Sequence, residues 1–192
     1  MTAANKITIV RILAIPVFVA MAVYYGHGLR DGDPQEWQRW TAIALFTLAA
    51  VSDALDGFVA RYFNQRTRLG QILDPIADKG LLLAGIITLT FSNWHYQFPL
   101  WFPMLVISRD AVLVLGAALL DFINGTVNVK PSWWGKTATV FQMAAIGMAM
   151  LYPDFAWMLA LVIVAGAFTL ISGIGYVIDG IRQLHRGGHG SV

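Results

Sequence analysis

The chain has 192 residues, 57% of them hydrophobic and only 12% charged, with a mean hydropathy of +0.63. A soluble domain carries about twice that share of charge, so much of this surface must face lipid rather than water. The net charge of +2 is too mild to point to nucleic acid, and the absence of cysteine excludes a disulfide framework, a thiolate metal site and a cysteine nucleophile.

Six apolar runs of spanning length follow in chain order, at 7–25, 37–63, 69–91, 98–120, 133–151 and 155–181. A helix of about 20 residues crosses a hydrocarbon core about 30 Å thick. The first run reads as a span rather than a cleaved leader, because Arg11 interrupts it and no small-residue cleavage site follows. The breaks carry turn chemistry: Gly, Asp and Pro within 26–35, polar residues at 64–68, a short link at 93–97, Asn124-Gly125 within 121–132, and Pro153-Asp154. Within a bilayer only helices and closed barrels satisfy their own backbone, and no strand-like alternation competes. The expected fold is therefore all-α: an integral membrane bundle of six transmembrane helices, one domain over 1–186, and a disordered tail at 187–192.

One set of connecting segments holds Lys6, Arg66, Arg68, Lys130, Arg182 and Arg186. The other holds Arg30 and Arg39 beside Asp31, Asp33 and Glu36, then two loops with no Lys or Arg. The positive-inside rule then puts both termini, and the 64–68 turn, in the cytoplasm. All seven tryptophans fall near span ends, where an interfacial belt is expected.

The second and third runs hold charges that a plain membrane bundle would not keep. Asp53 and Asp56 are three apart on one predicted helix, and Asp74 and Asp78 four apart on the next, so each pair shares a face. Counted from the turn at 1.5 Å per residue, Asp56 lies roughly 10 Å deep and Asp74 roughly 6–8 Å deep. Two antiparallel helices packed about 8–10 Å apart would bring the four acids toward one cleft. At about 2.5–3.5 kcal/mol for one intramembrane acid, four approach roughly 10 kcal/mol if additive, and their mutual repulsion adds to that. Either some are protonated or cations neutralise them, and carboxylate clusters suit magnesium, manganese or calcium. Gly57 and Ala60 leave the helix open to a close ligand, Arg61 is placed to pair with phosphate, Gly70 opens the third helix, and Pro75 should kink it or free a carbonyl.

The full stretch reads Asp53-x2-Asp56-Gly57-x2-Ala60-Arg61-x8-Gly70-x3-Asp74-x3-Asp78. It resembles the signature of the CDP-alcohol phosphotransferase family, with every signature position filled. The neighbouring LDPIADK resembles the phosphatidylglycerophosphate synthase branch. Asn5-x2-Thr8-x2-Arg11 and Gly135-Lys136-x-Ala138-Thr139-x2-Gln142 extend the likeness more weakly. The resemblance implies a metal set of Asp53, Asp56, Asp74 and Asp78 holding divalent Mg or Mn, two ions in all, with Asp78 also the candidate base. It implies a CDP pocket of Gly57, Ala60, Arg61, Thr67 and Gly70. It also implies transfer of the phosphatidyl group of CDP-diacylglycerol to an alcohol at the cytoplasmic face of the inner membrane, and a homodimer. Gly166, Gly173 and Gly175 on the last run offer that dimer a small-residue face.

Arg11, Arg109 and Lys136 are the candidate cations for the acceptor phosphate, which the branch resemblance makes that of glycerol 3-phosphate. The plainer alternative is that Arg11 snorkels and Arg109 only pairs with Asp110 or a neighbouring helix. One departure stands out: the synthases carry Arg-Glu where this chain has Arg109-Asp110, and Ser-Arg-Asp resembles cardiolipin synthases of the same fold, whose acceptor is phosphatidylglycerol. A cation-binding membrane transporter is the alternative of a different class, but it would leave Gly57, Arg61 and Gly70 without a role.

Overall fold

The computed structural model describes residues 3–63, 68–124, 133–151 and 154–187, without the side chains at 3–7, 53–63, 68–76, 78, 120, 121, 123, 124 and 183–187. The elements are helices only: α1 (Ala3–Asp31), α2 (Glu36–Phe63), α3 (Arg68–Phe91), α4 (Trp101–Asn124), α5 (Trp133–Leu151) and α6 (Phe155–Gly187). No strand occurs among the described residues. Among the described residues three helices are long and apolar enough to cross a membrane, over Thr8–Asp31, Trp101–Leu119 and Phe155–Arg182; α3 adds a shorter apolar stretch, Lys79–Phe91.

The helices follow the apolar runs, with one instructive difference. The break expected at 26–35 starts too early, for α1 continues to Asp31. Its end is set by Gly32 at φ 82°, and the Asp33 N–H closes on the Gly28 carbonyl at 2.9 Å, the pattern of a left-handed glycine cap. Gly26 does not break the helix. A Cβ there would stand 3.0 Å from the Asn93 nitrogen, so this glycine admits the α3–α4 connection against α1.

The chain forms two compact units. The first comprises 1–98 with 146–155. Among its described residues α1 packs against both α2 and α3, which touch each other much less. Its buried contacts alternate bulk with alanine: Phe18 and Ala22 on α1, Ala42 and Phe46 on α2, Ala77 and Leu81 on α3. The Phe18 and Phe46 rings lie 5.8 Å apart.

Polar groups tie the end of this unit farther from the α2–α3 connection. The Tyr25 hydroxyl donates to Glu36 at 3.0 Å, and Glu36 pairs with Arg39 at 3.1 Å. Arg39 donates from Nε to the Met150 carbonyl (3.1 Å) and from Nη2 to that of Leu151 (3.2 Å). These are carbonyls of the last turn of α5, which have no partner within their own helix. Trp94 corrects the interfacial-belt expectation: it is buried, its indole N–H donating to the Ala22 carbonyl at 2.8 Å and its ring edge-on to Tyr25 at 4.9 Å. The other six tryptophans are exposed.

The second unit comprises 99–145 and 156–192. Here α4 and α6 run side by side in one direction, Trp101 and Leu105 meeting Gly166 and Arg109 meeting Gly173. Helix α5 runs the opposite way, with Gly135 beside Ser172 and Tyr176, and Gln142 donating to the buried Thr169 hydroxyl at 2.9 Å. Gly166 and Gly173 are therefore used within the chain, as the bed on which α4 lies, and do not speak for a dimer face. Leu115, Phe122, Ile163 and Ile174 are exposed while Gln142, Thr169 and Ser172 are buried, an inside-out distribution that lipid, not water, accommodates.

Candidate functional site

Helix α2 carries Asp53, Asp56, Gly57, Ala60 and Arg61, and α3 carries Gly70, Asp74 and Asp78. Both backbones are helical throughout, so each acid pair is one turn apart on its helix. Helix α3 continues through Pro75, although a proline offers no N–H to the carbonyl four residues back. The side chains of these residues lie outside the described ones, and Thr67 lies outside altogether. Among the described residues no group of His, Cys, Asp or Glu could hold a metal; the four acids expected to do so are not in that set.

Helix α1 brings a cation to this part of the first unit. Arg11 is 3% exposed and Thr8 one turn earlier 1% exposed. One turn later Ile15 sits against α3, its Cδ1 3.4 Å from where a Gly80 Cβ would stand. Helices α1 and α3, separated by one antiparallel helix, run the same way. One turn back on each gives Arg11 and Ile76, so the Arg11 backbone is level with the stretch between Asp74 and Asp78.

In the second unit the structure gathers a built cation site around Arg109, whose side chain is 15% exposed. Nη1 donates to Asp110 Oδ1 at 2.6 Å and Nη2 to Ser172 Oγ at 3.1 Å, while Cζ lies 5.5 Å from the centre of the Tyr176 ring. Nε is buried and meets no acceptor among the described residues. The expected alternative partners of Arg109, Asp110 and a neighbouring helix, are thus both present. Ser172 and Tyr176 escaped sequence reasoning. Their only sequence signal is a Ser-Gly-x-x-Tyr step, polar at one-turn spacing, inside an apolar run. Lys136 is exposed on α5, next to the Gly135 backbone that touches Arg109. Arg11 belongs to the first unit, Arg109 and Lys136 to the second.

The profile of the CDP-alcohol phosphatidyltransferase family matches residues 1–171. The chain belongs to this family. It is 33% identical over 185 residues to a probable phosphatidylglycerophosphate synthase of Mycobacterium tuberculosis (strain ATCC 25618 / H37Rv), covering 94% of this chain and 82% of that one. It is 32% identical over 177 residues to the CDP-diacylglycerol--glycerol-3-phosphate 3-phosphatidyltransferase of Escherichia coli (strain K12), covering 89% of this chain and 90% of that one. The family match takes in α1 to α5 and α6 as far as Ile171, so the acid-bearing helices and Arg109 both fall inside it, whereas Ser172 and Tyr176 lie just beyond.

Proposed function

We propose that the chain is a phospholipid-synthesising transferase that moves the phosphatidyl group of CDP-diacylglycerol onto sn-glycerol 3-phosphate, releasing CMP. The observation that carries this reading is the unbroken signature from Asp53 to Asp78 on two consecutive helices, in a chain that matches the family over residues 1–171. The names of relatives matching about nine-tenths of the chain favour glycerol 3-phosphate as acceptor. Asp110 is accounted for as the ion-pair partner of Arg109, a task either acid performs, so it does not by itself favour phosphatidylglycerol.

The reaction is a single displacement. The acceptor hydroxyl oxygen forms a bond to the lipid-linked phosphorus, the pyrophosphate P–O bond breaks, and CMP leaves with that oxygen. Asp78 is the proposed base that takes the hydroxyl proton. Gly57, Ala60, Arg61, Thr67 and Gly70 form the proposed CDP pocket, glycine and alanine keeping the helix surface low and Arg61 offering donors to phosphate. Asp53, Asp56, Asp74 and Asp78 are an all-carboxylate donor set with no histidine on either helix, which fits magnesium or manganese. When bound there, two divalent ions would supply charge neutralisation at the phosphates. Arg11, Arg109 and Lys136 are the proposed contacts for the acceptor phosphate. For Arg109 the support is a buried Nε donor with no acceptor among the described residues, which an arriving phosphate oxygen would satisfy.

The same reading makes the chain a six-span protein of the inner membrane, one domain with both termini and the site on the cytoplasmic side, working as a homodimer. Single cysteines placed at position 2 and at position 95 of this cysteine-free chain should react from opposite sides of the membrane; labelling of both from one side would overturn the topology. Purified protein given CDP-diacylglycerol, magnesium and labelled glycerol 3-phosphate should release CMP and form labelled lipid phosphate. Consumption of phosphatidylglycerol alone would replace the reading with that of a cardiolipin synthase.

A further inference from the structure

We propose that Ser172 and Tyr176 on α6, together with the bare backbone of Gly135 on α5, are positioning residues that fix the Arg109 guanidinium and thereby set the affinity for the anionic acceptor. The inference rests on the acceptor role proposed for Arg109 and goes beyond it, to residues that need touch no substrate.

The seat is made from three helices. The Arg109 stem lies on α6 beside Gly173, where a Cβ would stand at ordinary contact distance, 3.5 Å from Arg109 Cγ and 3.9 Å from Cβ. Ser172, 1% exposed, takes an N–H from Nη2 at 3.1 Å, and its neighbour one turn on, Tyr176, underlies the cation. Asp110 on the same helix as Arg109 takes the other terminal nitrogen. Gly135 closes the side from α5, where a Cβ would stand 2.6 Å from Arg109 Nη2, 3.1 Å from Ser172 Oγ and 3.4 Å from the Tyr176 hydroxyl. Any side chain at 135 must therefore displace the guanidinium or its hydroxyl partner.

Physical chemistry explains why a binding arginine needs such a seat. A guanidinium presents its donors in a rigid planar fork, and phosphate rewards that fork only when the plane is aimed correctly. An arginine left on its flexible stem loses rotamer entropy on binding, whereas one already fixed does not. Asp110 offsets the charge of Arg109, so recognition of an anion leans on the direction of the guanidinium donors that Asp110 and Ser172 do not engage. Ser172 and the Tyr176 face set that direction.

The test is a set of steady-state measurements on the full-length protein in detergent–lipid micelles, with CDP-diacylglycerol and glycerol 3-phosphate each varied in turn. Ser172→Ala should raise KM for glycerol 3-phosphate about three- to tenfold, as expected for one lost hydrogen bond to a charged group's seat. Its kcat and its KM for CDP-diacylglycerol should stay near the parent values. Ser172→Thr, which keeps the hydroxyl, should recover most of the loss. Tyr176→Leu, which removes the ring face, should raise the acceptor KM about two- to fivefold, and Tyr176→Phe, which keeps that face, should raise it less. Gly135→Ala should exceed both. In an Arg109→Ala background, Ser172→Ala and Tyr176→Leu should add nothing to the acceptor KM, because residues acting through one group are not additive.

Arg109→Ala raising the acceptor KM, with Ser172→Ala and Tyr176→Leu still adding their full effects on top, would overturn the positioning role and leave the acceptor reading intact. Arg109→Ala leaving the acceptor KM unchanged would overturn both. Equal losses in kcat and in both KM values for the α6 variants, accompanied by lower thermal stability, would make the seat merely structural and also overturn the proposal.

Discussion

On α2 and α3 four carboxylates occur within 26 positions; on α4–α6 one guanidinium is met by an acid, a hydroxyl and an aromatic face. The two regions face opposite electrostatic problems. Like charges gathered in a low-dielectric region cannot neutralise one another, so on the proposed reading the acids are either partly protonated or balanced by divalent cations. Arg109 is compensated by its own protein and depends on nothing external for charge. What it offers a ligand is aim. Damage to the first region should therefore remove chemistry, and damage to the second should weaken one substrate's binding while the chemistry survives.

The largest expected effect comes from Asp78→Asn. Loss of a general base costs about 10²–10⁴-fold in rate, and the amide keeps the shape of the carboxyl while losing its proton affinity. CMP release at saturating substrates measures it. Turnover within threefold of the parent would remove Asp78 as base and shift that role to another group.

Arg109→Ala comes next and is expected to differ in kind. Removing a charged donor set from a phosphate costs about 1.5–3 kcal/mol, or roughly 10- to 150-fold in the acceptor KM, with kcat and the CDP-diacylglycerol KM little changed. A matching loss of kcat with every acceptor would erase the distinction between the two regions.

How much of this was legible beforehand follows the same division. Helix positions were visible because spanning length and apolar character are properties of contiguous sequence; so was the acid signature, complete within two neighbouring helices. The continuation of α1 past Gly26 was missed because glycine in a helix signals a break as readily as a close approach, and only the neighbour at Asn93 distinguishes them. The sequence makes Trp94 look interfacial because its burial depends on the Ala22 carbonyl, 72 residues away. The seat of Arg109 was half visible. Asp110 is adjacent in sequence, but Ser172 is 63 positions distant, and its Ser-Gly-x-x-Tyr step does not say which residue it meets. Gly166 and Gly173 looked like a surface for a second copy because small residues serve any close helix pair, inside the chain or between chains.

A smaller effect separates scaffold from both sites. Arg39 caps α5 by two bonds to its last carbonyls, at the end of the first unit away from the signature turn. Arg39→Ala should lower stability by about 1–3 kcal/mol, seen as a lower unfolding temperature in a fixed detergent, with specific activity of the folded fraction unchanged. Altered kinetic constants at unchanged stability would mean that this end of the molecule communicates with the chemistry.

The smallest effect has the opposite sign. A Cβ at Gly147 on α5 would meet nothing within 4 Å, so Gly147→Ala should gain about 0.5–1 kcal/mol from helix propensity alone. The residue before it argues the contrast. Ile146 is fully buried, and a Cβ at Gly85 would stand 3.0 Å and 3.3 Å from two of its carbons, so Gly85→Ala should overpack and cost about 1 kcal/mol or more. A glycine on α5 and a glycine facing the residue before it thus predict opposite shifts in unfolding temperature. If Gly147→Ala instead destabilises the protein in lipid but not after dilution into detergent as monomer, that face is covered in the membrane by something beyond the chain, and the homodimer gains its first physical contact.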